Sequence, residues 1–146
     1  MTSELRVDNL KGSTTGGSIN VLGEGTSATT NLQQGLAKAW VNFNGASVDS
    51  NADLTGVRDS LNIASVVDNG TGDFSVTIAN AFGNTSYVWS YGGKRASGDG
   101  TNCFDVNVKR DTDPTTTVTR HNVKDHDSSS DVDGEIVCMI FHGDLA

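Results

Sequence analysis

Leu36-Ala-Lys-Ala-Trp-Val-Asn-Phe-Asn-Gly45, followed after an Asn/Asp/Ser-rich interval by Val57-Arg-Asp-Ser-Leu-Asn-Ile-Ala-Ser-Val-Val-Asp-Asn-Gly-Thr-Gly-Asp-Phe-Ser-Val-Thr-Ile78, decides the fold. From Ala37 onward, Ala37, Ala39, Val41 and Phe43 alternate with Lys38, Trp40, Asn42 and Asn44, the two-residue period of a strand with one face in a core. From Asp59 the alternation resumes, with Leu61, Ile63, Ser65 and Val67 opposing Ser60, Asn62, Ala64 and Val66, and predicts one continuous strand. It stops at Asp68-Asn-Gly-Thr-Gly-Asp73. Asn69-Gly70 tolerates the positive backbone angles of a tight turn, Gly72 allows a bulge beside it, and Phe74, Val76 and Ile78 restart the pattern. An antiparallel ribbon follows from local chemistry alone.

Outward from that ribbon the composition is β-like throughout. Valine outnumbers leucine, there is a single proline, and Thr, Ser, Asn and Gly separate short apolar runs. Val, Ile, Leu and Phe make up just over a fifth of the chain, so the core is thin. A chain of 146 residues is one ordinary domain, or a domain with an arm. The formal net charge of −8 argues against nucleic-acid or anionic-membrane binding, whose affinity rests on basic side chains. No apolar run is long enough to cross a bilayer, and Met1-Thr-Ser-Glu-Leu-Arg6 lacks the form of a signal peptide. Synthesis in a cytoplasm is therefore expected, with Cys103 and Cys138 as two free thiols.

Residues 1–35 form a distinct segment. Leu5, Val7 and Leu10 make one small apolar cluster and Ile19, Val21 and Leu22 another, too little to close a core. The segment is either a tail or an extended arm ordered by contact with another chain, and the brief alternations Leu5-Arg6-Val7 and Ile19-Asn20-Val21 favour the arm. Thr30 to Leu36 suits one helical turn capped by Thr30 or Asn31. Residues 36–146 read as a β-sandwich or jelly roll of antiparallel strands. Within it, Tyr87 to Tyr91 is an aromatic strand ending in a Gly-rich loop that reaches Gly100, and Cys103 to Val108 alternates. Thr115 to Arg120 is expected as an edge or covered strand, and His121 to Asp133 as a polar surface loop. Glu135 to Phe141, the most apolar run, is expected as a central strand buried on both faces.

The quoted stretches, from Gly35 to Gly45 and from Val57 to Ile78, resemble a family of tailed-bacteriophage virion proteins, the fibre or fibre-tip domains of marine phages. Ser3-Glu-Leu-Arg-Val-Asp-Asn-Leu10 is similar to the opening of related phage appendage proteins, where such a segment attaches to the particle. The resemblance covers about the first half of the chain. It implies a β-rich virion surface protein, often trimeric, whose partners are its own copies, other tail or capsid proteins and a host-surface glycan or protein. A capsid-decorating or tail-adaptor protein is the alternative, and a lectin-like module a further one. In that picture Leu5, Val7, Leu10, Ile19 and Val21 are attachment or subunit-interface candidates, as is Trp40, whose alternative is to pack under its own loop.

Chemistry for catalysis is sparse. There is no Gly-x-Ser-x-Gly elbow, no His-Glu-x-x-His frame and no phosphate loop, so no catalytic residue, metal or cofactor is assigned. Asp125, His126, Asp127, Asp131, Asp133 and Glu135 are close in sequence, but Ser130 stands where a calcium loop needs glycine, and a solvated acidic loop is the preferred reading. Trp89, Tyr91, Lys94 and Arg95 combine aromatic faces with cations beside a Gly-rich loop and are the receptor-binding candidates. The plainer reading, a core Trp89 and a solvated Lys94 and Arg95, is preferred.

Overall fold

A computed structural model describes residues 5–13, 19–22, 29–95, 104–126 and 130–146. The chain divides into two units, Met1–Leu36 and Ala37–Ala146. In the first, strands β1 (Asn20–Leu22) and β2 (Thr29–Asn31) pair antiparallel, and a helical turn α1 (Leu32–Gly35) follows, as the sequence predicts. The backbone N–H of Leu32 donates to the Ile19 carbonyl (2.7 Å) and closes that turn onto the strand pair.

The second unit is all-β, two four-stranded antiparallel sheets packed as a sandwich. Its strands are β3 (Ala39–Phe43), β4 (Val57–Leu61), β5 (Ile63–Asp68), β6 (Asp73–Ile78), β7 (Val88–Lys94), β8 (Phe104–Val108), β9 (Val118–Asp125) and β10 (Ile136–His142). The first sheet has the order β4-β3-β10-β7 and the second β5-β6-β9-β8. Ala39, Val41 and Phe43 of β3 and Val137, Met139 and Phe141 of β10 point inward onto Phe74, Val76 and Ile78 of β6, all buried. The Phe43 and Phe74 rings meet edge-on, centroids 5.2 Å apart, and join the two sheets. Each fully buried side chain of this size contributes about 2 kcal/mol, which a thin core needs.

The turn at Asn69-Gly70 joins β5 to β6 as expected. Asp68 Oδ1 accepts the Gly70 N–H (2.7 Å), and the Asn69 N–H donates to the Asp73 carbonyl (2.8 Å). The single strand expected across Asp59 to Val67 is instead two strands in different sheets. Asn62 between them is left-handed (φ 57°), so the chain leaves the first sheet at Leu61 and enters the second at Ile63. Its side chain holds the corner. Oδ1 accepts from the Asn80 N–H (2.7 Å), and Nδ2 donates to the carbonyls of Lys38 and Asn80 (3.1 Å each). A register shift between Ile63 and Ser65 then puts Val66 with Ile63 in the core and leaves Ala64 outside, which overturns the expected facing. Asn62→Ala removes these three bonds and a fourth, from Asn80 Nδ2 to Oδ1 (2.9 Å), and places a Cβ-bearing residue without local hydrogen bonds in the left-handed region. It is expected to lower stability by about 2 kcal/mol, measured by urea unfolding.

Two further expectations are corrected. The surface loop expected from His121 to Asp133 is strand as far as Asp125, the second half of β9, a central strand between β6 and β8. Thr119, His121, Val123 and Asp125 point inward, so the alternation is present but carried by residues that rarely face a core. His121 is fully buried against Trp89 (centroids 5.9 Å) and Phe141 (6.4 Å) of the opposite sheet. β10 is central but not buried on both faces: Ile136, Cys138, Ile140 and His142 alternate with its core residues and lie half-exposed on the outside of the first sheet.

Candidate functional site

The outer face of the first sheet is built by register. Leu61, Trp40, Ile140 and Ser90 stand in one row across the four strands, and Asp59, Asn42, Cys138 and Gly92 in the next. Trp40 is half-buried, and Leu61 (47% exposed) and Val88 (62%) extend the apolar surface to either edge. Gly92 leaves the second row low. A Cβ built there would meet no atom within 4 Å, and the result is an open depression of about 390 Å3 lined chiefly by Trp40, Asn42, Ser90, Gly92, Cys138 and Ile140. Arg58 Nη1 donates to Asn42 Oδ1 (3.4 Å) and to the Phe43 carbonyl (3.3 Å), which fixes one rim. Lys94 and Glu135 pair at 2.8 Å near another, and the ammonium holds that carboxyl below its ordinary value.

Cys138 is a free thiol. Burial pushes its pKa up, so it stays protonated and a poor nucleophile. The expectation for Cys103 lies outside the described residues.

Trp89, Tyr91, Lys94 and Arg95 do not converge on one surface. Trp89 packs against the core and His121, and Tyr91, on the same inward-facing parity, is 45% exposed because β7 is an edge strand. Lys94 bonds Glu135, while Arg95 Nη1 bonds Asp125 Oδ2 (2.7 Å) where both side chains are largely covered. The part of the Gly-rich loop at 96–100 lies outside the described residues. In the N-terminal unit, Leu5, Val7, Leu10 and Val21 are all at least half exposed, and Ile19 is half-buried.

The acidic stretch is held by separate partners. Asp131 pairs with Lys124 (2.7 Å), and Asp133 Oδ1 accepts the Gly72 N–H (2.7 Å). His126 Nδ1 lies 3.2 Å from Asp105 Oδ2, and Asp127 is outside the described residues. Among the described residues no three metal-ligating side chains gather.

The second sheet's outer face is polar. Arg120 grips Asp73 through two bonds (2.7 and 2.8 Å) and Lys109 adds a third (2.7 Å), which together hold the Asp73 carboxyl below its ordinary value against the opposing effect of burial. A cleft of about 430 Å3 beside it is lined by Lys109, Arg110, Asp111, Asn122, Lys124 and Asp131, whose charges are largely matched within the chain. The first sheet's depression differs in kind. It is concave, mostly apolar and has few polar groups, which suits an inserted aliphatic or aromatic side chain. The sequence marked Trp40 but not Ile140, Cys138 or Gly92. The available signal was parity, since these three share Trp40's face once β10 lies between β3 and β7. No known family model, curated protein or solved structure matches the chain.

Proposed function

We propose that the chain is a non-enzymatic structural protein of a tailed-bacteriophage virion, a fibre-type surface appendage working as a homotrimer. In this reading the N-terminal unit provides attachment to the particle or to sister subunits, and the sandwich is the exposed body that meets the host surface. The observation that carries the reading is unsatisfied apolar surface in both units. Leu5 is 76% and Leu22 63% exposed in the first, and Leu61 and Val88 flank the Trp40 depression in the second. A small acidic chain that keeps this much apolar surface uncovered is suited to assembly, in which neighbours complete the burial. The resemblance of Gly35 to Gly45 and Val57 to Ile78 to phage fibre proteins supplies the setting. The structural role is further supported by carboxylates that are engaged in ion pairs and backbone caps: Asp73, Asp125, Asp131 and Asp133 each hold two parts of the chain together.

Multi-angle light scattering at micromolar concentration is expected to give three times the chain mass, and antibody labelling is expected to decorate phage particles at tail appendages. A monomer that stays monomeric up to high concentration overturns the oligomeric part. Label on the capsid shell redirects the reading to a decorating protein.

A further inference from the structure

We propose that the depression on the outer face of the first sheet seats the N-terminal segment of a second copy, with Leu5 and Val7 of that copy entering beside Trp40 and Ile140. The inference rests on the homo-oligomer reading and names the two surfaces that meet. The receiving surface is open and apolar, and its depth comes from Gly92, where no atom lies within 4 Å of the missing Cβ. The incoming segment is suited to it. Residues 5–13 form neither helix nor strand, and each aliphatic side chain in them is more than half exposed, Leu5 at 76% and Val7 and Leu10 at 54%. In an extended backbone Leu5 and Val7 lie on one side, roughly 7 Å apart, with Arg6 on the other. That spacing lets two side chains enter one depression while the intervening guanidinium stays at the rim. Charge does not oppose the contact: Leu5 to Lys11 carries two basic side chains and one acidic, Arg58 and Asp59 both stand beside the depression, and residues 37–146 carry fifteen acidic side chains against eight basic.

Cys138 at the depression makes a direct test. In full-length protein with Cys103→Ser, the substitution Val7→Cys under mild oxidation is expected to give disulfide-linked oligomers, with tagged and untagged chains joined in mixtures and the linkage lost in Cys138→Ser. Gly92→Leu fills the depression and is expected to weaken self-association at least tenfold in sedimentation equilibrium while leaving the far-ultraviolet circular dichroism spectrum unchanged. Val7→Asp, outside the sandwich core, is expected to do the same and serves if Gly92→Leu alters folding. A wild-type oligomer that survives both substitutions and forms no cross-link overturns this docking and leaves the homo-oligomer reading standing. Cross-linking confined within single chains also overturns it. A wild-type monomer removes both.

Discussion

Lowering the pH from 7 to 4 is expected to remove about 3 kcal/mol of folding stability through one side chain, His121. The ring is fully buried between the sheets, and burial lowers its pKa from 6.5 to about 4. The folded state therefore keeps it neutral, while the unfolded chain takes up a proton near the ordinary value. An unfolded state that binds more protons gains as pH falls, so the histidine's contribution is complete above about 6.5 and disappears progressively toward 4. One hydrogen bond explains why it is tolerated at all. Nε2 lies 2.9 Å from the buried Thr119 Oγ1. With Nε2–H donating to that hydroxyl, the neutral ring leaves Nδ1 a bare acceptor with no partner. Protonating Nδ1 would place a charge and an unpaired donor among Trp89, Phe141 and the core valines. Urea unfolding across this range checks the effect, and His121→Leu is expected to flatten it while changing stability at pH 7 by no more than about 1 kcal/mol. Asp73 acts in a different window. Its folded pKa is lowered chiefly by the Arg120 bonds, so its contribution is present above its unfolded value of 3.8 and is lost as pH falls from there through the folded value. A wild-type stability that does not change between pH 6.5 and 4 contradicts the assignment to His121.

The same histidine shows where the sequence is readable and where it is not. β3 and β6 are legible because their inward residues are apolar and their outward ones polar, and the Asn69-Gly70 turn is legible because its residue types match its backbone. β9 keeps the same period with Thr119, His121 and Asp125 facing in, and the last two are compensated by something far away in sequence, Trp89 and Arg95. No local pattern announces such long-range compensation. The corner at Asn62 is similar. The alternation continues across it without a break, and only the residue's tolerance of a left-handed backbone hints that the strand changes sheet. For the candidate site, Trp40's outward facing was legible from β3 alone. The depression was not, because it needs β10 and β7 brought beside β3, and strand order is a property of the whole fold.

Gly72→Ala is expected to cost about 4 kcal/mol, and most of it comes from collision with main chain. The residue is left-handed (φ 64°), which alone strains an alanine. A Cβ there would lie 2.4 Å from the Val123 carbonyl oxygen and 2.7 Å from the Val132 nitrogen, neither of which can swing away as a side chain can. Those groups are fixed by the bonds they make. The Val123 N–H donates to the Gly72 carbonyl (2.7 Å), the Val132 N–H donates to the Val123 carbonyl (3.0 Å), and the Gly72 N–H donates to Asp133 (2.7 Å). Gly72 thus lies where the β5–β6 turn, β9 and the 131–133 segment lock together, and moving any one of them breaks a bond to another. Gly70→Ala is the informative comparison. It too has a positive φ (134°), but a Cβ there meets nothing within 4 Å, so it carries backbone strain alone and is expected to cost about 2 kcal/mol. Thermal and urea unfolding of the two variants separates strain from overlap. Equal losses at positions 70 and 72 would mean that the second sheet yields around an added methyl, and the interlocking of the turn with β9 would then not be a source of the fold's stability.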